Sequence, residues 1–209
     1  MYQPDGIAVL TQGNAPFIYT ANEGDSRDYS GFSEVKRIKD IVLDPVVFPD
    51  FEFLQKKSNL GRLNITTTLG DKDNDGDYDE LYSYGARSFS IWNGHSGKQM
   101  YDSGDFLDKT AVVEGSYDDG RSDDKGVEAE GVVIGRIANK NLLFVGMERA
   151  DAVAVYDITN PVKPKYLQWL KTGDAPEGIL FISAEDSPNG KSILVVSSEG
   201  DGFITVFSN

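Results

Sequence analysis

Short apolar runs, rich in β-branched and aromatic residues, recur along the chain, and Gly, Pro, Asn and Asp separate them. Three runs open alike, with an acidic residue and a glycine ahead of a short strand-like stretch: Asp5-Gly6-Ile7-Ala8-Val9, Glu130-Gly131-Val132-Val133-Ile134 and Glu177-Gly178-Ile179-Leu180-Phe181. A degenerate fourth start is Leu60-Gly61-Arg62-Leu63. After each of the first three comes a second run ending on a glutamate: Phe17 to Glu23, Leu142 to Glu148 and Ile193 to Glu199. Third runs follow at Ala152–Tyr156 and Phe203–Phe207, and a fourth at Pro164–Leu170. Short β-rich runs between turn residues predict strands rather than helices.

Glu130 and Glu177 stand 47 residues apart. A period of about 40 to 50 residues with three or four strands per unit is the pattern of a β-propeller blade. The expected fold is therefore all-β: one propeller domain, or part of one, with about four antiparallel blades over 4–59, 60–128, 129–175 and 176–209. In this reading Ser88–Trp92 and Lys98–Tyr101 complete the second blade. Two long inserts, Asp25–Asn59 and Asp105–Glu128, interrupt the pattern. The first predicts a strand at Asp40–Leu43 and a short helix near Phe51–Lys57 with Asp50 as N-cap. The second predicts a helical turn near Phe106-Leu107. The last unit has only three strands, which favours a partial ring.

Composition narrows the function classes. The chain has 209 residues, 39% hydrophobic and 26% charged, as expected of a folded domain. Its net charge of −14 argues against nucleic-acid or anionic-membrane partners and favours cations. Without cysteine it has neither disulfides nor thiolate metal sites. No apolar run reaches membrane-span length, and Met1–Asp5 does not resemble a signal peptide, so an export signal is expected upstream.

The densest chemistry lies at Asp71-Lys72-Asp73-Asn74-Asp75-Gly76-Asp77-Tyr78-Asp79, with five aspartates in nine residues. Mutual repulsion makes this a poor helix or strand. Hard divalent cations account for it: calcium takes six to eight oxygens, and a curled loop offers Asp71, Asp73, Asp75, the Asp77 carbonyl and Asp79 around a turn glycine. The competing reading is a solvated acidic turn. The loop resembles those of integrin-type propellers, although Glu80 separates Asp79 from the hydrophobic Leu81. Tyr82 at the twelfth position excludes an EF-hand. A structural calcium on a hairpin between Arg62–Leu69 and Glu80–Tyr84 is expected.

Longer strings carry a family resemblance. Pro4-Asp5-Gly6-Ile7, Thr20-Ala21-Asn22-Glu23-Gly24-Asp25-Ser26-Arg27-Asp28-Tyr29, Asn59-Leu60-Gly61-Arg62-Leu63, Asp79 to Trp92, Ser122 to Gly126 and Phe181 to Pro188 resemble the choice-of-anchor I domain. That family is similar to mesenchyme-specific cell-surface glycoproteins. The resemblance implies a propeller, export, attachment to the cell surface through a separate C-terminal anchor, and a chain that is the C-terminal part of a longer domain. Some relatives carry an alkaline-phosphatase label, for which this sequence offers no motif.

Innermost propeller strands line the axis, so Asp5, Glu130, Glu177 and Glu199 form a candidate acidic ring. Glu23, Arg27, Glu148 and Arg149 are the candidate catalytic groups. The alternative is that these carboxylates only accept backbone hydrogen bonds at strand ends. Glu23–Asp28 and Arg121–Lys125 mix both charges, which predicts one ion-paired cluster or a second divalent-metal site. His95, the sole histidine, sits in a turn-like stretch, and no nucleophile elbow is present. The leading expectation is a non-catalytic, calcium-stabilised extracellular module for adhesion, matrix or assembly, binding a protein or glycan partner or its own copies. The alternative is a metal-dependent phosphoester hydrolase at the axis, and a propeller lectin stands third.

Overall fold

The computed structural model describes every residue from Met1 to Asn209. Its strands β1 (Ile7–Gln12) and β2 (Ala15–Asn22) form a hairpin, followed by the two-residue strands β3 (Asp28–Tyr29) and β4 (Phe32–Ser33). Next come β5 (Val35–Arg37), α1 (Phe51–Leu54), β6 (Asn64–Thr66), β7 (Ser88–Asn93), β8 (Gln99–Asp102) and α2 (Phe106–Glu114). The remaining strands are β9 (Ala129–Ile137), β10 (Lys140–Met147), β11 (Ala152–Asp157), β12 (Lys165–Lys171), β13 (Pro176–Ile182), β14 (Ile193–Ser198) and β15 (Ile204–Ser208). They form three antiparallel sheets, ordered β1-β2-β7-β8, β9-β10-β11-β12 and β13-β14-β15, plus two small ladders. The chain is thus all-β with two helix-bearing inserts.

No separate sheet forms over 60–128. β7 and β8, expected in a second unit, complete the first sheet, with Tyr19 opposite Ile91 and Ala21 opposite Phe89. These four side chains are fully buried in one core, so β7 finds its apolar match on β2 despite the intervening insert. The strand expected at Asp40–Leu43 is reduced to a single bridge from Leu43 to Tyr78. There the Gln55 side-chain amide donates to the carbonyls of Ile38 and Ile41 at 2.9 and 2.7 Å, occupying acceptors that a neighbouring strand would use. The hairpin expected around the aspartate loop also shortens, to a bridge between Ile65 and Ser83. Asp50 precedes α1 but makes no side-chain cap bond. α2 is longer than the turn expected, because Leu107 and Ala111 bury one face and Gly115 ends it in the left-handed conformation.

The middle sheet is apolar on both faces. Along β10, Leu143, Val145 and Met147 join the core shared with the first sheet, while Leu142 and Phe144 join the core shared with the third. β11 divides likewise, Ala152, Ala154 and Tyr156 against Val153 and Val155. The period-two alternation therefore stacks the sheets in chain order. The end faces remain apolar and open, at Ile7 and Val9 on one side and Leu180, Ile204 and Val206 on the other. With β7 in the first sheet, the first insert extends to the whole excursion between β2 and β7, and it has its own small core of Ile38, Leu43 and Ile65.

The recurring acidic-Gly pair has a packing cause. β1, β9 and β13 lie side by side at the inner edge, where Gly6 N donates to the Glu130 carbonyl at 2.9 Å. A Cβ at Gly6 would collide with that oxygen, and one at Gly131 would come within 3.0 Å of the Glu177 carbonyl. Each glycine thus allows the next sheet's backbone to approach.

Replacing Gly6 by Ala is expected to destabilise the protein by about 1–3 kcal/mol, as overpacking against fixed backbone does. Gly31→Ala, where nothing lies within 4 Å of the new methyl, should be neutral or stabilising by no more than about 1 kcal/mol. Urea midpoints of the two variants check this.

Candidate functional site

The close approach of the inner strands gathers carboxylates at one end of the sheets. Glu23 follows β2, Glu148 follows β10, and Glu130 is the second residue of β9. One oxygen each of Glu23, Glu128 and Glu148 lies within 4.8 Å of the others. Glu128, with φ of 54°, is 1% exposed. Cations from the second insert enter this group. Arg121 Nε donates to Glu128 at 2.9 Å, Lys125 Nζ lies 3.1 Å from Glu128, and Lys125 also pairs with Glu23. Arg149 reaches Glu148 at 2.8 Å and Glu128 at 3.6 Å.

These partners are unequally shared. Burial pushes Glu128 upward, but hydrogen bonds and charge from Arg121 and Lys125 outweigh it and hold its carboxyl below the ordinary range. Glu130 has no such partner: its buried Oε2 accepts no hydrogen bond. Burial, then the negative charges of Glu148, Glu177, Glu23 and Asp5, push it up to about 8. Burial raises Glu148 to about 7 against the pull of Arg149. Glu23 is raised by burial, against Lys125.

The structure therefore brings Asp5, Glu130 and Glu177 into one field, with Asp5 and Glu177 exposed at its mouth. Glu199 holds the matching strand end on β14 but is exposed and outside the ion-paired network. Glu23, Glu148 and Arg149 meet, whereas Arg27 does not join them. Arg27 pairs with Glu34 at 2.6 Å and lies 5.4 Å over the Phe32 ring. Its side-chain and backbone bonds hold Glu34 down to about 2. The mixed-charge segments at Glu23 and Arg121–Lys125 do combine as one ion-paired cluster. Glu128 is the residue missed, since nothing in its local sequence marks it as the acceptor common to three cations.

The aspartate loop lies in the first insert, with its neck closed by Asp79 N and Glu80 N donating to the Gly70 carbonyl at 2.8 and 3.0 Å. Oxygens of Asp71, Asp73 and Asp79 converge within 4.8 Å, and Asp79 also belongs to a second triad with Asp77 and Asp44. Asp44 comes from outside the loop, where Asp44 N donates to the Tyr78 carbonyl at 3.2 Å. Asp75 belongs to neither triad, and its Oδ1 accepts from Asp77 N at 3.1 Å. Asp71 Oδ1 is buried without a hydrogen-bond partner. Burial, then the charges of Asp75, Asp44, Asp79 and Asp73, raise Asp77. Crowded carboxylates with an unpartnered buried oxygen fit a hard divalent cation.

The chain matches the choice-of-anchor I domain over residues 1–161. The resembling strings through Gly126 lie inside this match, and Phe181 to Pro188 lies beyond it. Among curated proteins, Gigasin-3a of Magallana gigas is 27% identical over 188 residues, covering 74% of this chain and 66% of that protein. No helix is long and apolar enough to cross a membrane.

Stability is expected to fall from about pH 5 to pH 8 in chelator. Glu130 and Glu148 retain protons when folded that they release when unfolded, so their contribution is complete below the ordinary carboxylate value and lost as pH rises through about 7 to 8. Glu34 acts oppositely, and its contribution is lost as pH falls from 4.5 through about 2. Glu130→Gln should flatten the alkaline fall and raise Tm at pH 8 by about 2–4 °C. Thermal melts across pH check both directions.

Proposed function

The chain belongs to the choice-of-anchor I domain family, and from that premise we propose that it is an extracellular or cell-surface module, stabilised by calcium and not catalytic. Asp71 carries the calcium reading: its Oδ1 is buried and unpartnered, and its carboxylate converges with those of Asp73 and Asp79. Asp71, Asp73 and Asp79 would hold the ion, with Asp77 and Asp44 on the adjoining side. The ion would neutralise the loop and tie its neck to the first insert's core, coupling loop rigidity to occupancy. The three stacked sheets are read as consecutive blades of a propeller. The shared inner edge and the apolar faces left open at both ends support that reading.

The hydrolase reading is the weaker one. Its carboxylates at the inner edge already face Arg121, Lys125 and Arg149, which occupy the place of metal ions. Such a network fixes the second insert against the sheets without requiring chemistry. Adhesion, matrix binding or assembly through loop faces is the role that fits this architecture in the family's surface setting.

Calorimetric titration is expected to show calcium binding in the range of extracellular modules, with Kd about 0.1–1 mM. Asp73→Ala and Asp79→Asn should each weaken it by at least about tenfold, a loss of about 1.4 kcal/mol. Unchanged stoichiometry and affinity in both variants would refute the assignment. A phosphomonoester assay with calcium, magnesium and zinc should show no turnover. Activity abolished by Glu148→Gln or Arg149→Ala would instead establish the hydrolase.

A further inference from the structure

A second feature of the first insert stands apart from the aspartate loop. The protein carries a net charge of −14, yet one cleft of about 490 Å³ and a smaller adjoining one are lined by Arg37, Lys39, Lys57, Arg62 and Arg87. The carboxylate lining them is Asp123. It is half-buried, pairs with Arg37 and lies 3.4 Å from Arg62. Arg37 also donates through Nη1 to the Arg62 carbonyl at 2.6 Å. Both arginine side chains line the cleft and remain about 40% exposed (38% and 42%), and each guanidinium has more N–H donors than the contacts named here use. Lys57 is exposed at the rim and is not among the partners of Asp123. Lys39 pairs with Asp40 at 2.7 Å and Arg87 with Asp108 at 3.3 Å, so five cations meet three carboxylates and positive charge here still exceeds local compensation, whereas at the inner strands carboxylates outnumber cations.

The cations stand on fixed backbone. Lys39 N donates to the Gly61 carbonyl at 3.1 Å, Ile38 N to the Leu63 carbonyl at 3.1 Å, and Asn64 N to the Asp123 carbonyl at 2.9 Å. Gly61 has no room for a Cβ against the Gln55 carbonyl, so the loop bearing Lys57 and Arg62 sits directly on the turn after α1. Arg87 Nη2 bonds the carbonyls of Ser122 and Asp124 at 2.8 and 2.9 Å and anchors the cleft floor. Guanidinium groups held in place present paired N–H donors suited to a planar or tetrahedral oxyanion.

We propose that this cleft binds an acidic polysaccharide, with Arg37, Arg62 and Lys57 gripping a sulfate or carboxylate group. Ser58, Asn59 and Ser83 supply the neutral donors and acceptors that sugar hydroxyls need. No aromatic side chain lines the cleft, so it has no platform for stacked bases. The strong negative charge of the rest of the protein repels a continuous polyanion, which leaves a polymer whose charges are spaced by neutral sugar surface. The proposal extends the surface-module reading to a class of partner, and it does not depend on ion binding at the aspartate loop.

Immobilised κ-carrageenan and hyaluronan, which carry one sulfate and one carboxylate per disaccharide, provide the test in surface plasmon resonance with EDTA present, and neutral dextran and single-stranded DNA are the controls. The full chain is expected to bind at least one of the two acidic polysaccharides and neither control, and to weaken steeply between about 50 and 200 mM salt. Lys57→Glu combined with Arg62→Glu should reduce affinity about tenfold or more while the circular dichroism melt stays unchanged. Arg62→Lys should retain part of the binding, and Asp73→Ala should retain all of it in EDTA. The sulfated and carboxylated arms separate the two oxyanions. Binding to neither polymer, equal binding by the charge-reversed protein, or DNA binding as strong as that of the polysaccharide would overturn the proposal. Loss of calcium binding in Asp73→Ala with polysaccharide binding intact would support both readings separately.

Discussion

Everything at the inner edge depends on backbone meeting backbone between successive sheets. Gly6 N bonds the Glu130 carbonyl, and Gly131 faces the Glu177 carbonyl with no side chain between them. A side chain at either glycine would push the strands apart and open the two cores that the middle sheet shares with its neighbours. The acidic residue ahead of each glycine is carried to the same edge, Glu130 inside it and Asp5 and Glu177 exposed at its mouth. One geometric requirement therefore produces both the stacking of the sheets and the concentration of carboxylates at their edge.

Such a concentration is costly unless it is compensated. The second insert supplies the compensation by sending Arg121 and Lys125 back over the strands onto Glu23 and Glu128. Glu130 lies beyond their reach and lowers its cost by holding a proton. The ion pairs fasten a long insert to the sheets, and the uncompensated acid makes the edge sensitive to pH. Ion pairs with Lys125 and Arg149 offset part of the cost of burying Glu23 and Glu148.

The first insert segregates charge. Its small core of Ile38, Leu43 and Ile65 holds an acidic loop near Tyr78 and a basic cleft beside Leu63. Neither feature neutralises the other, although both belong to the same excursion between β2 and β7. Separated sites of opposite sign, each on pinned backbone, suit ligands of opposite charge.

The alternation of apolar and polar residues was sufficient to establish an all-β chain. The recurrence of acidic-Gly starts marked the inner strands, and the aspartate spacing marked a loop able to gather Asp71, Asp73 and Asp79. These are local properties, because side-chain period and loop chemistry depend on neighbours in the chain. Pairing across the inserts was not legible. Ser88–Trp92 has the same strand pattern whichever sheet it joins, and only burial of Phe89 and Ile91 against Tyr19 and Ala21 places it beside β2. Asp44, Glu128 and the basic cleft were hidden for a related reason. Asp44 meets Asp77 and Asp79 from far away in sequence, Glu128 has Arg121 and Lys125 nearby but meets Glu23, Glu148 and Arg149 only in the folded chain, and charges distributed over Arg37, Lys57, Arg62 and Arg87 become one surface only when the insert folds on its own core. Sequence determined which segments form strands and which loop collects aspartates; tertiary structure decided which strands share a sheet and which charges meet, because those choices rest on contacts between residues that the chain itself keeps apart.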